Sequence, residues 1–351
     1  MEPAASILSP VLREDFYSLA KRLDFPPLQG STWLITGATG FIPSYLVSFL
    51  HWLDQQKQLD LTLHLWVRSM PKAELKFPWA QKHGRVRVTC PDWNHPDQWQ
   101  VPACDFAIHA ASPATPAACA ADPEAVKACN ITGSRRLLDR MNPSRLRGFL
   151  FFSSSEVYGD TKGDAFPDEN QLGVIDPASI RANYPLAKRA GEEACRNAAR
   201  AAGLPTRSAR IFHTYGPGMD LEGDGRVFAD FVRNIVRGED IIIRGDGRGR
   251  RAFCYIEDTV SALLTILFRG DNGGCYNVGN PNAVLSMGQL GDLLVGLAPT
   301  SGLKKVLLQE MTPQSVSGAV FPNVDRMRKL GWSARTGPVD GFRRTIQSYL
   351  Q

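Results

Sequence analysis

A glycine turn narrows the possible folds of this chain more than any other stretch. Thr36-Gly37-Ala38-Thr39-Gly40-Phe41-Ile42 sits between an apolar run at 33–36 and a segment that reads as a helix from Phe41. Glycine at such a junction permits a tight turn and lets backbone N–H groups approach a pyrophosphate, which then rests on the N-terminus of the following helix. Alone, the pattern fits many strand-to-helix turns; the rest of the chain gives it weight. Further short apolar runs at 61–67, 86–89, 106–110, 148–152 and 207–212 are separated by longer segments, with helices beginning near Phe41, Pro123 and Tyr184. This alternation predicts an α/β, Rossmann-type doubly wound parallel sheet. After about Gly216, glycine and proline become denser and the strands shorter, which predicts a smaller C-terminal substrate-binding lobe. The expected layout is an N-terminal extension over 1–29 and a dinucleotide-binding domain with the catalytic residues over 30–215. Residues 216–351 then form mainly the lobe, with segments returning to the first domain.

Composition sets the class. The 351 residues are 43% hydrophobic and 21% charged, enough to build a core without staples. Cys90, Cys104, Cys119, Cys129, Cys195, Cys254 and Cys275 are scattered, odd in number and never spaced as CxxC. That predicts a reduced, cytoplasmic setting with neither a disulfide framework nor a metal site. The start lacks a basic segment followed by an apolar one, and no run of 18 apolar residues occurs, so neither a signal peptide nor a membrane partner is expected. A net charge of +5 without a long basic run reads as a mixed solvated surface, with no nucleic-acid partner expected.

Two clusters carry chemistry. Ser153-Ser154-Ser155-Glu156-Val157-Tyr158-Gly159 ends the fifth strand, on the sheet edge where open α/β folds bind ligands. Tyr184-Pro185-Leu186-Ala187-Lys188 places Tyr184 and Lys188 on one helical face, with Pro185 acceptable only near the helix start. An ammonium beside the phenol, together with a nicotinamide charge, predicts a Tyr184 pKa lowered towards the working pH. Tyr184 then serves as a base while hydride leaves for the nicotinamide. The end of the second strand reads Val67-Arg68-Ser69. An acid there would select NAD, and an arginine accommodates the 2′-phosphate of NADP, so Arg68 leaves the two open. Asp92 either accepts from an adenine amino group or caps a turn.

With these pieces in place, the chain resembles the extended short-chain dehydrogenases that modify nucleotide sugars, over about 31–350. The matching stretches are TGATGFI, HAASPATP from His109, Asn130, SSSEVYGD, YPLAK, ARIFHTYGPGM, DGRVFADF, RRAFCYIED and YNVGNP. Within that superfamily it is most similar to the UDP-glucuronate decarboxylases. The resemblance implies NAD as cofactor, with NADP not excluded, and a nucleotide-diphosphate sugar as substrate. Cofactor contacts would come from Gly37, Thr39, Gly40, Phe41, Ile42, Arg68, Asp92, Ala110, Ala111, Ser112, Asn130, Tyr184 and Lys188. Ser154, Ser155, Glu156, Tyr184 and Lys188 would be catalytic. Pro113, Glu156, Tyr158, His213, Arg226 and Arg251 would meet the substrate.

Residue by residue, Ser154 falls where the hydroxyl partner of the Tyr-Lys pair sits. The related 4,6-dehydratases carry an Asp before the Glu, so Ser155 argues against dehydration. Simple 4-epimerases usually lack the Glu. Arg251 matches the arginine of the substrate pocket, and Arg226 falls in the region that meets the nucleotide. The chain departs from the pattern at Pro43, where a third glycine is usual, at His213, where Asn is usual, and at Gly218, where Arg is common. The implied reaction is a redox-neutral decarboxylation of a UDP-hexuronate through a 4-keto stage. A 4-epimerase, a 4,6-dehydratase, an NADP-dependent ketosugar reductase and a non-catalytic cofactor-binding protein are the alternatives. A homodimer through helices at 123–141 and 184–201 is also implied. Asn130, His109 and Tyr158 each have a structural reading beside the functional one, and Trp93 and Trp332 read as core.

Overall fold

The structure is a computed structural model that describes residues 8–163, 165–179, 181–223, 225–298, 302–308 and 319–350. Twelve strands occur among them: β1 (Thr32–Thr36), β2 (Thr62–Trp66), β3 (Val86–Thr89), β4 (Phe106–His109), β5 (Gly148–Ser154), β6 (Thr206–Ile211), β7 (His213–Tyr215), β8 (Ile241–Arg244), β9 (Arg250–Tyr255), β10 (Gly274–Val278), β11 (Val284–Ser286) and β12 (Lys305–Leu308). Seven of them form one parallel sheet in the order β10-β6-β5-β4-β1-β2-β3. Both faces are covered by helices, so β1 and β5 are buried at every position, which is why they read as unbroken apolar runs rather than alternating ones.

The order reverses between β1 and β4, whose last residues, Thr36 and His109, lie side by side. A crevice opens at such a switch point beyond the carboxyl ends of the strands. β5 runs two residues beyond the expected 148–152, which carries Ser153 and Ser154 to that same edge. The helix expected over 123–141 is broken. Helices Pro116–Ala121 and Pro123–Lys127 lead into a π-helical turn at Ala128–Gly133, and a short helix, Ser134–Asp139, follows.

From β7 onwards the chain builds small sheets, β11-β9-β7 and β12-β8, and also returns to the main sheet as β10 beside β6. The N-terminal segment forms a helix, Pro10–Arg22, capped by Ser9 and opened by Pro10. Its Phe16 and Leu19 are fully buried. Among the described residues no helix is long and apolar enough to cross a membrane, and no cluster of side chains could hold a metal ion.

Candidate active site

The glycine turn owes its sequence to crowding. Gly37 has φ +65°, and a Cβ there would lie 2.8 Å from the Ala111 Cα and 2.9 Å from the Ala110 carbonyl oxygen. Both are backbone atoms, so no side chain fits. Gly40 then starts helix Phe41–Lys57 without any side-chain cap, leaving the first N–H groups of that helix for a ligand. Pro43 sits in the first turn, where its missing N–H costs nothing, and its ring packs towards Gly40.

A hydrogen-bonded knot holds the opposite wall. His109 Nε2 lies 3.0 Å from the Cys129 carbonyl oxygen, which can only accept, so that nitrogen carries the proton. His109 Nδ1 therefore accepts from the Thr36 hydroxyl at 2.7 Å. The same hydroxyl oxygen accepts the Ala110 and Ala111 N–H groups at 3.2 and 3.1 Å. Burial keeps His109 neutral, with its pKa pushed down to about 3. Asn130, in the π-helical turn, donates to the Ser112 hydroxyl and to the Val126 carbonyl, each at 2.8 Å. Ser112 passes its own proton to the Pro113 carbonyl at 2.7 Å. The buried Asn130 Oδ1 has no partner among the described residues. Uncapped helix start, crowded glycine and pinned loop form a cradle that fits a dinucleotide.

Two residues on the adenosine side behave differently. Arg68 is exposed at the end of β2, and the neighbouring Ser69 caps the next helix. Asp92 turns inward on its own loop, accepting from the Asn94 N–H at 2.8 Å and pairing with His95 at 2.7 Å. Those contacts hold its carboxyl below the usual range and give it the turn-capping role.

Tyr184 and Lys188 lie on the first turns of helix Asn183–Ala202, with Pro185 early enough to be tolerated. The Tyr184 hydroxyl hydrogen-bonds the Ser154 hydroxyl at the end of β5. Lys188 is buried, and its Nζ donates to the Phe152 carbonyl at 2.7 Å while lying 5.6 Å from the centre of the Tyr184 ring. Burial brings the ammonium down to about 8. The lowering of the Tyr184 pKa expected from the sequence needs the nicotinamide charge as well as the ammonium. Burial first, and the Glu156 carboxylate second, hold the phenol above its ordinary range, because Lys188 is turned to a backbone carbonyl rather than to the phenol oxygen.

Ser155 and Glu156 open a short 3₁₀ turn, Ser155–Tyr158, whose start is tied down by the Glu156 N–H donating to Ser154 at 3.2 Å. Glu156 has a solvent-exposed surface, yet protein crowds much of its surroundings. Burial raises its pKa and Arg181 opposes the rise. Tyr158, two residues on, is a correction to the sequence reading. It points into the core, fully buried, donates its hydroxyl to Asn277 at 2.7 Å and carries the Arg210 guanidinium over its ring at 4.9 Å. It does not line the cleft.

The far wall belongs to the C-terminal part. His213 opens β7 between the rings of Phe228 and Phe253. Burial first, then the charges of Arg251 and Arg226, hold it neutral at a pKa of about 3. Its Nδ1 is buried with no partner among the described residues. Arg226 acts electrostatically on both Tyr184 and His213, and Arg251 on His213, so the structure brings Arg226 near Tyr184 and both arginines near His213. Arg251 is exposed and donates to the Arg250 carbonyl at 2.8 Å.

Sequence reasoning missed three residues: Thr36, Cys119 and Arg181. Cys119 comes from helix Pro116–Ala121, and its thiol bonds the Pro113 carbonyl at 3.4 Å. Burial, then Glu156, raises that thiol to about 11, so it stays protonated beside Glu156 and Tyr184. Nothing in its alanine-rich surroundings marks it. The only signal for Arg181 is its place three residues before Tyr184.

Residues 33–279 match the NAD dependent epimerase/dehydratase family, which is most of the chain. The chain belongs to that family. Its cofactor is accordingly NAD. This family member is 32% identical to UDP-glucuronic acid decarboxylase 5 of Arabidopsis thaliana over 311 residues, 88% of this chain and 86% of that protein. It is 31% identical to UDP-glucuronic acid decarboxylase 1 of Xenopus tropicalis over 249 residues, 70% of this chain and 56% of that one. Among solved structures it is similar to the UDP-glucose 4-epimerase of Thermotoga maritima, with a TM-score of 0.75 at 23% identity, covering 91% of this chain and 98% of the other. At that identity the likeness speaks for the fold.

Proposed function

We propose that this enzyme decarboxylates a UDP-hexuronate such as UDP-glucuronate through a 4-keto stage. The observation that carries the reading is Glu156, preceded by Ser155 and next to the Tyr184 phenol. The relatives named for UDP-glucuronic acid decarboxylation, similar over 88% of the chain, support it. With NAD in place, the nicotinamide charge together with the Lys188 ammonium would offset the burial and bring Tyr184, hydrogen-bonded to Ser154, to the phenolate that takes the proton of the sugar 4-hydroxyl. Bound NAD, held by the Gly37 turn and the Ala110–Ser112 loop, supplies reversible two-electron oxidation at C4. With C4 a ketone, the carboxylate on C5 stands β to a carbonyl. The C5–C6 bond breaks, CO2 leaves, and the electron pair flows into the ketone, whose oxygen receives a proton from Tyr184. Glu156, beside the Tyr184 phenol, governs delivery of a proton to C5 as the enol proton returns to Tyr184, and reversal of the C4 oxidation restores the 4-hydroxyl. Arg226, Arg251 and neutral His213 serve the diphosphate and nucleotide side, where guanidinium forks suit phosphate oxygens.

Two coarser points belong to the same reading. The protein works as a homodimer through helix Asn183–Ala202 and the segment before it. Leu186 is 36% exposed there, with Ala190 and Ala194 half-exposed, whereas Ala182 is already buried by its own chain. Its setting is the cytoplasm, which suits seven unpaired thiols.

The test is incubation with a panel of nucleotide sugars and mass readout of the products. Loss of CO2 from UDP-glucuronate is expected. An isomer of unchanged mass would replace the reading by a 4-epimerase, and loss of water by a dehydratase.

A further inference from the structure

The helix Pro10–Arg22 lies outside the segment that matches the family, yet it is bonded into the molecule through one polar face. Asp15, Ser18 and Arg22 are spaced three and four apart and so line that face. Asp15 is 1% exposed and gathers donors from three elements. Tyr45, in the first helix of the dinucleotide-binding sheet, donates at 3.1 Å. Tyr255, the last residue of β9, donates at 2.7 Å. Arg344, in the C-terminal helix Pro338–Leu350, donates through Nη2 at 2.5 Å and Nε at 3.1 Å. One helical turn on, Ser18 donates to Glu257 at 2.8 Å, and beyond it Arg22 pairs with Asp258 at 2.5 Å. Asp258 in turn accepts the Arg335 N–H at 3.0 Å and the Thr336 N–H at 2.8 Å.

The grips converge on one place. Tyr255 ends β9, the strand that carries Arg251, and Glu257 and Asp258 open the helix that follows it. β9 pairs with β7, placing Tyr255 beside Tyr215 and Phe253 beside His213. The face therefore holds one end of the short ladder whose other end presents His213 and Arg251 to the cleft. An apolar helix face would fasten this segment without the cost of burying a carboxylate. Buried polar groups with single acceptable partners fix a register, which apolar packing does not.

We propose that the N-terminal helix is a clasp that seats the β7–β9 ladder against the dinucleotide-binding sheet, with Asp15 as the positioning residue for the substrate-side groups His213 and Arg251. The inference rests on the reading that those two groups meet the nucleotide sugar. Tyr184 and Lys188 sit on an element the clasp does not touch, so its release acts on substrate capture and leaves the proton chemistry alone.

The test uses the full chain loaded with NAD, in the variants Asp15→Asn and Tyr255→Phe. Each should raise KM for the nucleotide sugar about tenfold, the effect of one lost charge-assisted contact, with kcat within about twofold. Tyr255→Phe removes a single hydroxyl and carries the test should Asp15→Asn fail to fold. Leu146→Ala, a substitution in a separate core cluster that touches neither the N-terminal helix nor the ladder, should lower Tm and leave KM unchanged. An unchanged KM alongside a lowered Tm in Tyr255→Phe overturns the proposal and leaves the helix a structural bolt. If the wild type turns over no nucleotide sugar, the functional reading fails instead, and hydrogen exchange judges the clasp. Amides of β7 and β9 should then exchange about tenfold faster in Tyr255→Phe, with β1, β4 and β5 unchanged. Uniform acceleration, or none, overturns it.

Discussion

Replacing Thr36 with valine keeps the branched shape at the end of β1 and removes only the hydroxyl. Three contacts go with it: the donation to His109 Nδ1 at 2.7 Å and the acceptances from Ala110 and Ala111 N–H at 3.2 and 3.1 Å. His109 is 1% exposed and Ala111 is buried, so both lose a partner that water does not readily replace, whereas Ala110 is half-exposed and partly recovers. At about 1–3 kcal/mol for each buried polar group left unpaired, the two fully buried groups together cost about 3 kcal/mol. That lowers Tm by roughly 4 °C in a chain of this size. The loop carrying Ala110 and Ala111 also loses the tether that presses it to Gly37. If half of the cost falls on seating that loop, NAD affinity drops about tenfold. Thermal unfolding of the NAD-free protein and calorimetric titration with NAD read the two effects separately. A Thr36→Val protein that melts within about 1 °C of the wild type and binds NAD equally well would refute the reasoning, because the loop would then be held by its packing alone.

Tyr184→Phe should remove most turnover while NAD and nucleotide-sugar binding, followed by calorimetry, stay near wild type. Glu156→Gln keeps the shape but not the proton. It should still oxidise C4, seen as absorbance of reduced nicotinamide, and stall before product, which rapid mixing with UDP-glucuronate will show. His109, buried neutral with a pKa near 3 against an ordinary 6.5, makes folding sensitive to acid. A lowered histidine pKa contributes stability that is present above pH 6.5 and lost as pH falls towards 3, about 2 kcal/mol by pH 5, and urea midpoints across that range measure it.

How much of this was legible in the sequence differs by feature. The parallel sheet was readable because strands covered on both faces need unbroken apolar runs, and β1, β4 and β5 have them. Gly37 was readable because a positive φ against a neighbouring backbone leaves one residue type. Tyr158 was misread because it shares a motif with Glu156, and a motif does not reveal orientation. A 3₁₀ turn sends the two side chains different ways, one beside Tyr184 and one to Asn277. The partner of Lys188 was hidden for a related reason. Spacing put the ammonium near the ring, but only the fold shows it bonded to the Phe152 carbonyl. Cys119, Arg181 and the Asp15 clasp depend on contacts between segments far apart in the chain, and their local sequence carries no mark of them.

The place of β10 has a consequence for how the molecule is made. β6 lies between β5 and β10, and β10 comes from residues 274–278, far along the chain. A ribosome making roughly 5–20 residues per second therefore leaves the β6 edge without its neighbour for several seconds after β6 has emerged. During that interval the nascent sheet presents a row of unpaired N–H and C=O groups beside freshly exposed apolar faces, the surface on which strands of other chains can settle. Slow translation or truncation between 211 and 274 should accordingly give insoluble protein. Chaperones that cover a β edge should be needed most during that window, before the last strand arrives to close the sheet.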